Sequence, residues 1–126
     1  MAKDFLISVE VVPPAGSDAH GILKALCALA DLSIDRLSVA TNPVAKPRMS
    51  ALATCALIQQ TVWHAPILHC TTRDHNRLSL QGLLWGARAF GIETVLEMTG
   101  DLVLLKSHGK PTEAYMLKVF EPIELS

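Results

Sequence analysis

The chain has 126 residues, 50% of them apolar and 18% charged, and its formal net charge at pH 7 is −1. This balance excludes an intrinsically disordered chain and predicts a single domain over residues 1–126. It also excludes the basic surface that nucleic acid or an anionic membrane requires, and no stretch has enough consecutive apolar residues to span a bilayer. Three cysteines at irregular spacing predict neither a disulfide framework nor a zinc site, which favours a reducing, cytoplasmic location.

The first two predicted elements are a strand and a helix. Residues 5–12 are rich in β-branched side chains and end at two consecutive prolines, so they predict a strand. Apolar residues then recur at helical spacing over residues 22–30, and either Ser17 or Asp18 is the predicted cap of that helix.

The next part of the chain repeats this pattern. Residues 34–41 alternate apolar and polar side chains and predict a second strand. Pro47 suits the first turn of a helix, which predicts a helix from there to about residue 60, and residues 66–72 predict a third strand. Cys27 and Cys55 lie on the apolar faces of the first two helices, so we expect both in the core.

A third helix and a fourth strand follow. Asp74 or Asn76 is the predicted cap of the helix, Gly91 is predicted to close it, and residues 93–99 predict the strand. This alternation predicts an α/β fold with a parallel sheet of about four βα units. The chain length favours a small doubly wound domain, whereas the placement of the polar residues favours the first half of a (β/α)8 TIM barrel.

Those polar residues lie where the predicted strands end. In parallel α/β folds the carboxyl ends of the strands open onto a shared cleft, so functional residues gather there. The side chains predicted at this edge are Glu10, Thr41, Asn42, His69, Thr71, Thr99 and Asp101. Period-two alternation places Glu10 on the face opposite Val9 and Val11, which would be the interior of a barrel.

Glu10 has two interpretations, and the residues alone favour neither. A carboxyl group inside a barrel is expected to be desolvated, which favours the neutral form that a general acid needs. Alternatively, Glu10 forms a structural ion pair with an arginine such as Arg48 or Arg73.

Asp101 and His69 also have two interpretations each. Asp101 follows Gly100, and the residues alone favour a cap for the next turn over a side chain that projects into the cleft. His69 lies among apolar residues, a setting more typical of a hydrogen-bonded core histidine than of a ligand. The five histidines show no metal-binding spacing, Cys70 has no nearby base in sequence, and no phosphate-binding glycine motif occurs. The residues therefore predict a polar cleft without a metal site.

Four segments at these same strand ends resemble the methylenetetrahydrofolate reductase family. They are residues 8–16 (SVEVVPPAG), 38–53 (SVATNPVAKPRMSALA), 67–92 (ILHCTTRDHNRLSLQGLLWGARAFGI) and 95–101 (VLEMTGD). The resemblance is closest to the reductase half of the bifunctional homocysteine methyltransferase/methylenetetrahydrofolate reductase proteins, and it covers the amino-terminal half of that domain only.

The resemblance implies a (β/α)8 barrel that binds FAD. Such a barrel passes a hydride from NAD(P)H through the flavin to 5,10-methylenetetrahydrofolate and gives 5-methyltetrahydrofolate for methionine biosynthesis. The folate and NAD(P)H would be its partners, and a homo-oligomer or a complementary barrel half would supply the strands that have no counterpart in this truncated chain. The alternative from a different class is a non-catalytic α/β module that oligomerises or binds a partner through its open sheet edge.

The resemblance also assigns roles to individual residues. Glu10 matches the family's proposed general acid, and Asp101 matches an aspartate beside the flavin and the folate pterin, so both are predicted to be catalytic. The residues that match flavin-binding positions are Thr41, Asn42, His69, Thr71 and Thr99. Met98 departs from the family, because single-domain members carry arginine at this position.

Overall fold

The computed structural model describes residues 5–62 and 65–100, which contain one four-stranded parallel sheet. Each strand pairs in parallel with the strand that follows it in the chain. The strands, in their order across the sheet, are β1 (Ser8–Val11), β2 (Arg36–Val39), β3 (Pro66–Thr71) and β4 (Thr94–Met98).

Three α-helices connect these strands, and none of the helices in the described part of the chain is long and apolar enough to cross a membrane. They are α1 (His20–Ala28), α2 (Ala51–Thr61) and α3 (Arg77–Ala89). Short 3-10 turns follow β2 and β3 at Pro43–Ala45 and Thr72–Asp74.

The two ends of α3 agree with the sequence prediction. The Asn76 side chain accepts a hydrogen bond from the Ser79 amide at 2.9 Å, and the Ser79 hydroxyl accepts one from the Asn76 amide at 3.1 Å. This reciprocal capping satisfies amides that have no partner inside the helix. At the other end Gly91 has a φ of +81°, the left-handed conformation that glycine adopts after a helix.

The predicted starts of α1 and α2 were wrong. Helix α2 begins at Ala51, with Ser50 as its cap, and not at Pro47. The reason lies outside the helix: the Arg48 amide donates to Asn42 Oδ1 at 2.9 Å, and the Met49 amide donates to the Pro14 carbonyl at 2.8 Å, which keeps this segment from joining α2.

Helix α1 has Ala19 as its N-terminal flanking residue, without a side-chain cap. Asp18 accepts a hydrogen bond from the His20 amide at 2.9 Å, so its carboxylate bonds at the start of the helix without being the cap, and Ser17 is not the cap either. The prediction of Cys27 as a core residue was also wrong, because Cys27 is exposed, whereas Cys55 is buried as expected.

All three helices pack against the same face of the sheet. On that face the buried strand residues Val11, Leu37, Val39 and Leu68 contact a core completed by helix residues that include Leu26, Cys55, Ile58 and Ala87. A second, smaller cluster joins Cys70 of β3 to Leu80 and Leu84 of α3.

The sheet order and the one-sided helices decide between the two predicted architectures. A doubly wound sheet has helices on both faces and a reversal of strand order, and neither is present in residues 5–62 and 65–100. Sequential parallel strands with helices on one face are the arrangement of a (β/α)8 barrel. The α/β fold with a parallel sheet is confirmed, and the structure is consistent with part of such a barrel.

Candidate functional site

A cleft of about 350 Å³ opens on the face of the sheet away from the helices, at the carboxyl ends of the strands. All four strands or the loops that follow them contribute to it. Its lining residues are Glu10, Ala40, Thr41, Pro43, His69, Thr71, Arg73, Met98 and Gly100.

The cleft brings four of the seven predicted site residues together: Glu10, Thr41, His69 and Thr71. Asn42 and Thr99 are described but do not line it. Asp101 lies outside the described residues, so its predicted role stays a prediction.

Glu10 stands on β1 directly beside Ser38 of β2, and its side chain is exposed in the open cleft. The desolvation expected from the sequence is therefore not present. Neither candidate arginine forms an ion pair with it: Arg48 donates to the Pro13 carbonyl at 3.5 Å, and Arg73 pairs with Asp74 at 2.8 Å. Within the described residues, the structural ion pair proposed for Glu10 does not form, and its carboxylate is accessible to a ligand.

His69 is half-buried in the wall of the cleft, and its Nε2 is hydrogen-bonded to Ser38 Oγ. Burial lowers the pKa of His69 below its usual 6.5, and the negative charge of Glu10 opposes this only in part. His69 is therefore a neutral imidazole at pH 7. It is hydrogen-bonded, as a core histidine would be, and it also faces the cleft, as a ligand-binding histidine would.

Beneath the cleft, Asp74 joins two strand-end loops through a polar network that we call the Asp74 cluster (Asn42, Thr71, Arg73 and Asp74). Asp74 accepts hydrogen bonds from Arg73 at 2.8 Å, from Asn42 Nδ2 at 3.0 Å and from Thr71 Oγ1 at 3.1 Å. Burial alone would raise the pKa of Asp74, but these hydrogen bonds and the Arg73 charge outweigh it, and the pKa is lowered. Asp74 is therefore an anion that holds the loops together.

The Asp74 cluster fixes the shape of the cleft floor. Thr71 and Arg73 are only 2% and 3% exposed, and Arg73 Nη2 also donates to the Asn42 carbonyl at 3.1 Å. Asn42 adopts a left-handed conformation with a φ of 41°. Its side chain is occupied by Asp74 and by the Arg48 amide, so in this structure Asn42 ties the loop after β2 to the loop after β3.

Gly100 follows β4 and brings its backbone close to this floor. Its φ is +86°, and a Cβ atom there would lie 3.2 Å from both Arg73 Nη1 and Thr71 Cβ. A side chain at this position would fill the space between the strand end and the buried floor.

Ser38 was not singled out from the sequence. Arg73 was considered as a partner of Glu10 and Asp74 as a helix cap, but their pairing with each other was not predicted. For Ser38 a signal exists, because it alternates with Leu37 and Val39, which places it on the cleft side of β2. For Arg73 and Asp74 only their position after β3 was visible, since their partner Asn42 lies far away in the sequence. Among the residues that the structure describes, no three His, Cys, Asp or Glu side chains are grouped as a metal ion would require.

A parallel sheet with sequential strands, helices on one face and a polar cleft at the strand ends defines an α/β protein whose described residues are consistent with part of a (β/α)8 barrel. The sequence model of one family, methylenetetrahydrofolate reductase, matches residues 1–123. The chain therefore belongs to the methylenetetrahydrofolate reductase family, which confirms the resemblance found in its sequence. Family membership supports folate reduction as its general function and places the chain among oxidoreductases. A search of curated proteins gave no match.

Proposed function

We propose that the cleft belongs to an enzyme that reduces 5,10-methylenetetrahydrofolate to 5-methyltetrahydrofolate with NAD(P)H, using FAD as its cofactor. The observation that carries this proposal is the meeting of an accessible carboxylate, Glu10, and a neutral histidine, His69, in one cleft of a chain that the family model matches. These are two of the residues for which the family resemblance implies roles in the reaction.

The residues of the cleft suit a planar heteroaromatic group such as the flavin ring. Gly100 has no Cβ atom, so a flat ring above Thr71 can come close to the backbone that follows β4. Thr41 and His69 supply polar groups at the wall, and Met98 supplies an apolar, adaptable side chain. When bound, FAD supplies the hydride relay between NAD(P)H and the folate.

Glu10 would act on the folate. The methylene carbon of the substrate is bonded to two nitrogens, and one of these carbon–nitrogen bonds must break before a hydride can add to that carbon. In its protonated carboxyl form Glu10 donates its proton to the nitrogen that leaves and becomes a carboxylate, while the electron pair of the other nitrogen forms the iminium. Because Glu10 is exposed in the open cleft, the substrate can reach it, and the bound rings then exclude water from the carboxyl group.

The proposed roles of Asp101 and Thr99 rest on the family resemblance. Asp101 would place a negative charge beside the flavin and the pterin, and Thr99 would contact the flavin from the exposed backbone after β4.

The open face of the sheet supports association with further βα units. Val12 and Leu96 lie on that face and are 38% and 47% exposed, although the interior of a barrel is a packed core. Among the described residues, β1 and β4 each have one neighbouring strand, so both leave an unpaired edge. We infer that a second copy of this chain or a complementary barrel half covers the face, and that the chain alone binds FAD weakly because the four described strands supply only part of the wall that a whole barrel would offer the cofactor.

Association and cofactor binding are tested together. Analytical ultracentrifugation should show self-association of the 126-residue chain, and equilibrium dialysis should show weak FAD binding that strengthens in the associated form. A monomer that binds FAD stoichiometrically and turns over the folate would contradict the association proposal. A self-associating protein that takes up no FAD would favour the second candidate function, a non-catalytic binding module.

Glu10 is tested in the assembly that holds FAD. Glu10→Gln should leave FAD binding and flavin reduction by NAD(P)H unchanged and should slow folate reduction by a factor on the order of 10². Glu93→Gln is the matched control, because Glu93 is also an exposed glutamate but lies in the loop before β4, away from the cleft. Equal rates of folate reduction in Glu10→Gln and the parent would remove Glu10 from the mechanism.

A further inference from the structure

Ser38 of β2 lies on the cleft side of the sheet without lining the cleft itself, and neither the family resemblance nor the proposed function gives it a role. It lies in β2 between Leu37 and Val39, which are buried on the helix side, so the Ser38 side chain is on the opposite face. On that face its neighbour across the β1–β2 pairing is Glu10, and its Oγ is hydrogen-bonded to His69 Nε2.

This hydrogen bond decides which nitrogen of His69 carries the proton. A neutral imidazole has one N–H, and the bond made by one ring nitrogen sets the state of the other. A serine hydroxyl both donates and accepts, so the contact alone allows either direction. Among residues 5–62 and 65–100 His69 Nε2 is the side-chain partner of the Ser38 hydroxyl, and a hydroxyl that donates to Nε2 uses its one hydrogen in this bond. The ring proton then stays on Nδ1.

Because His69 lies in the cleft wall, its tautomer decides which hydrogen-bonding group the histidine presents to a ligand. His69 lines the cleft, and with Nε2 occupied by Ser38, Nδ1 is the ring nitrogen that remains for a ligand. An Nδ1–H group is a hydrogen-bond donor, which suits a carbonyl oxygen or an unprotonated ring nitrogen at the edge of a heteroaromatic ligand. The other tautomer would turn a lone pair toward such an acceptor and would leave both groups unsatisfied.

We propose that Ser38 is a positioning residue that holds His69 in its Nδ1–H tautomer, so that His69 presents a fixed hydrogen-bond donor to a heteroaromatic ring in the cleft. The identity of that ring as a flavin rests on the proposed function. The action of Ser38 on His69 does not, because both residues belong to this chain and are hydrogen-bonded directly to each other.

The tautomer is measured directly by long-range ¹H–¹⁵N correlation spectra of the 126-residue chain with labelled histidine, at a pH where the histidines are neutral. His69→Gln identifies the His69 signals by their loss. We expect a protonated Nδ1 and an unprotonated Nε2 in the parent. Ser38→Ala should lose this pattern in favour of a protonated Nε2 or a mixture, whereas Ser38→Thr, which keeps the hydroxyl, should retain it.

Ser8→Ala is the matched control, because Ser8 lies on β1, where it pairs with Arg36, and has no bond to His69 within the described residues. It should leave the His69 signals unchanged. A protonated Nε2 in the parent would overturn the proposal even if Ser38→Ala fails to fold, and so would identical His69 spectra for the parent and a folded Ser38→Ala.

Titration with FAD separates this proposal from the proposed function. If the flavin is the ligand, FAD shifts the His69 Nδ1–H signal of the parent, and Ser38→Ala binds FAD about tenfold more weakly, the effect of one hydrogen bond. In a preparation that equilibrium dialysis shows to hold FAD, a tautomer that depends on Ser38 but does not respond to FAD would support the role of Ser38 and contradict the flavin as the ligand of His69.

Discussion

Replacing Gly100 with alanine measures how closely the end of β4 approaches the Asp74 cluster. The φ of +86° is costly for any residue with a Cβ, by about 1–2 kcal/mol. The new methyl group would also lie 3.2 Å from Arg73 Nη1 and Thr71 Cβ. Both side chains are buried and cannot move aside easily, so overpacking adds about 1–3 kcal/mol. The expected loss in the free energy of unfolding is therefore about 2–5 kcal/mol.

Two other glycines separate these contributions. Gly91 has nearly the same backbone conformation, with a φ of +81°, but nothing lies within 4 Å of its added Cβ, so Gly91→Ala should lose only about 1–2 kcal/mol. Gly82 lies inside α3 with open space around it, and alanine there should stabilise the protein by about 0.5–1 kcal/mol.

Urea unfolding, followed by the circular dichroism of the helices at matched protein concentration, gives the three free energies. Gly100→Ala should also weaken FAD binding, because Gly100 lines the cleft, whereas Gly91→Ala should not. Equal losses of stability for Gly100→Ala and Gly91→Ala would refute the reasoning, since they would show that the added methyl group meets no resistance from Arg73 and Thr71.

Two further predictions concern titratable groups. The pKa of Asp74 is lowered below its usual 3.8, so the carboxylate contributes stability that is complete above that pH and is lost as the pH falls through the lowered value. Asp74→Asn should therefore be less stable than the parent at pH 7 and nearly equal to it at acid pH. A pH series of urea unfolding curves for the two proteins measures this difference. Burial raises the pKa of Cys55 and Cys70 to about 12, so both thiols stay protonated and shielded at pH 8. Ellman's reagent should therefore label only the exposed Cys27 in the folded protein and all three cysteines after unfolding. Rapid labelling of more than one thiol in the folded protein would contradict the buried positions.

The parts of the fold that depend on local pattern were predictable from the sequence. The alternation of strands and helices, the Asn76 cap and the Gly91 helix end follow from residues within a few positions of each other. The start of α2 was not predictable in this way. It depends on the Arg48 and Met49 amides bonding to partners more distant in the chain, which a proline preference at residue 47 cannot reveal.

The same distinction holds for the cleft. Glu10, Thr41, His69 and Thr71 were predictable because parallel strands end at one edge of a sheet, so position along a strand is enough to bring them together. Ser38 lies within a strand, and its importance comes from a hydrogen bond across 31 sequence positions.

The Asp74 cluster was missed for a related reason. The Asn42–Asp74 hydrogen bond spans 32 sequence positions and depends on the left-handed backbone of Asn42. Neither the pairing nor that backbone conformation is visible in the residue types alone.

The sequential order of the strands also constrains how the protein assembles during synthesis. β2 pairs with β1 and β3, and β3 pairs with β2 and β4, so each strand leaves the ribosome after the neighbour on which it forms its first ladder. No strand pairing in the described residues therefore requires a segment that is synthesised later than the two strands it joins. A defect in β2 would therefore remove the strand that joins β1 to β3, whereas a defect in β4 would leave the β1–β2 and β2–β3 pairings in place.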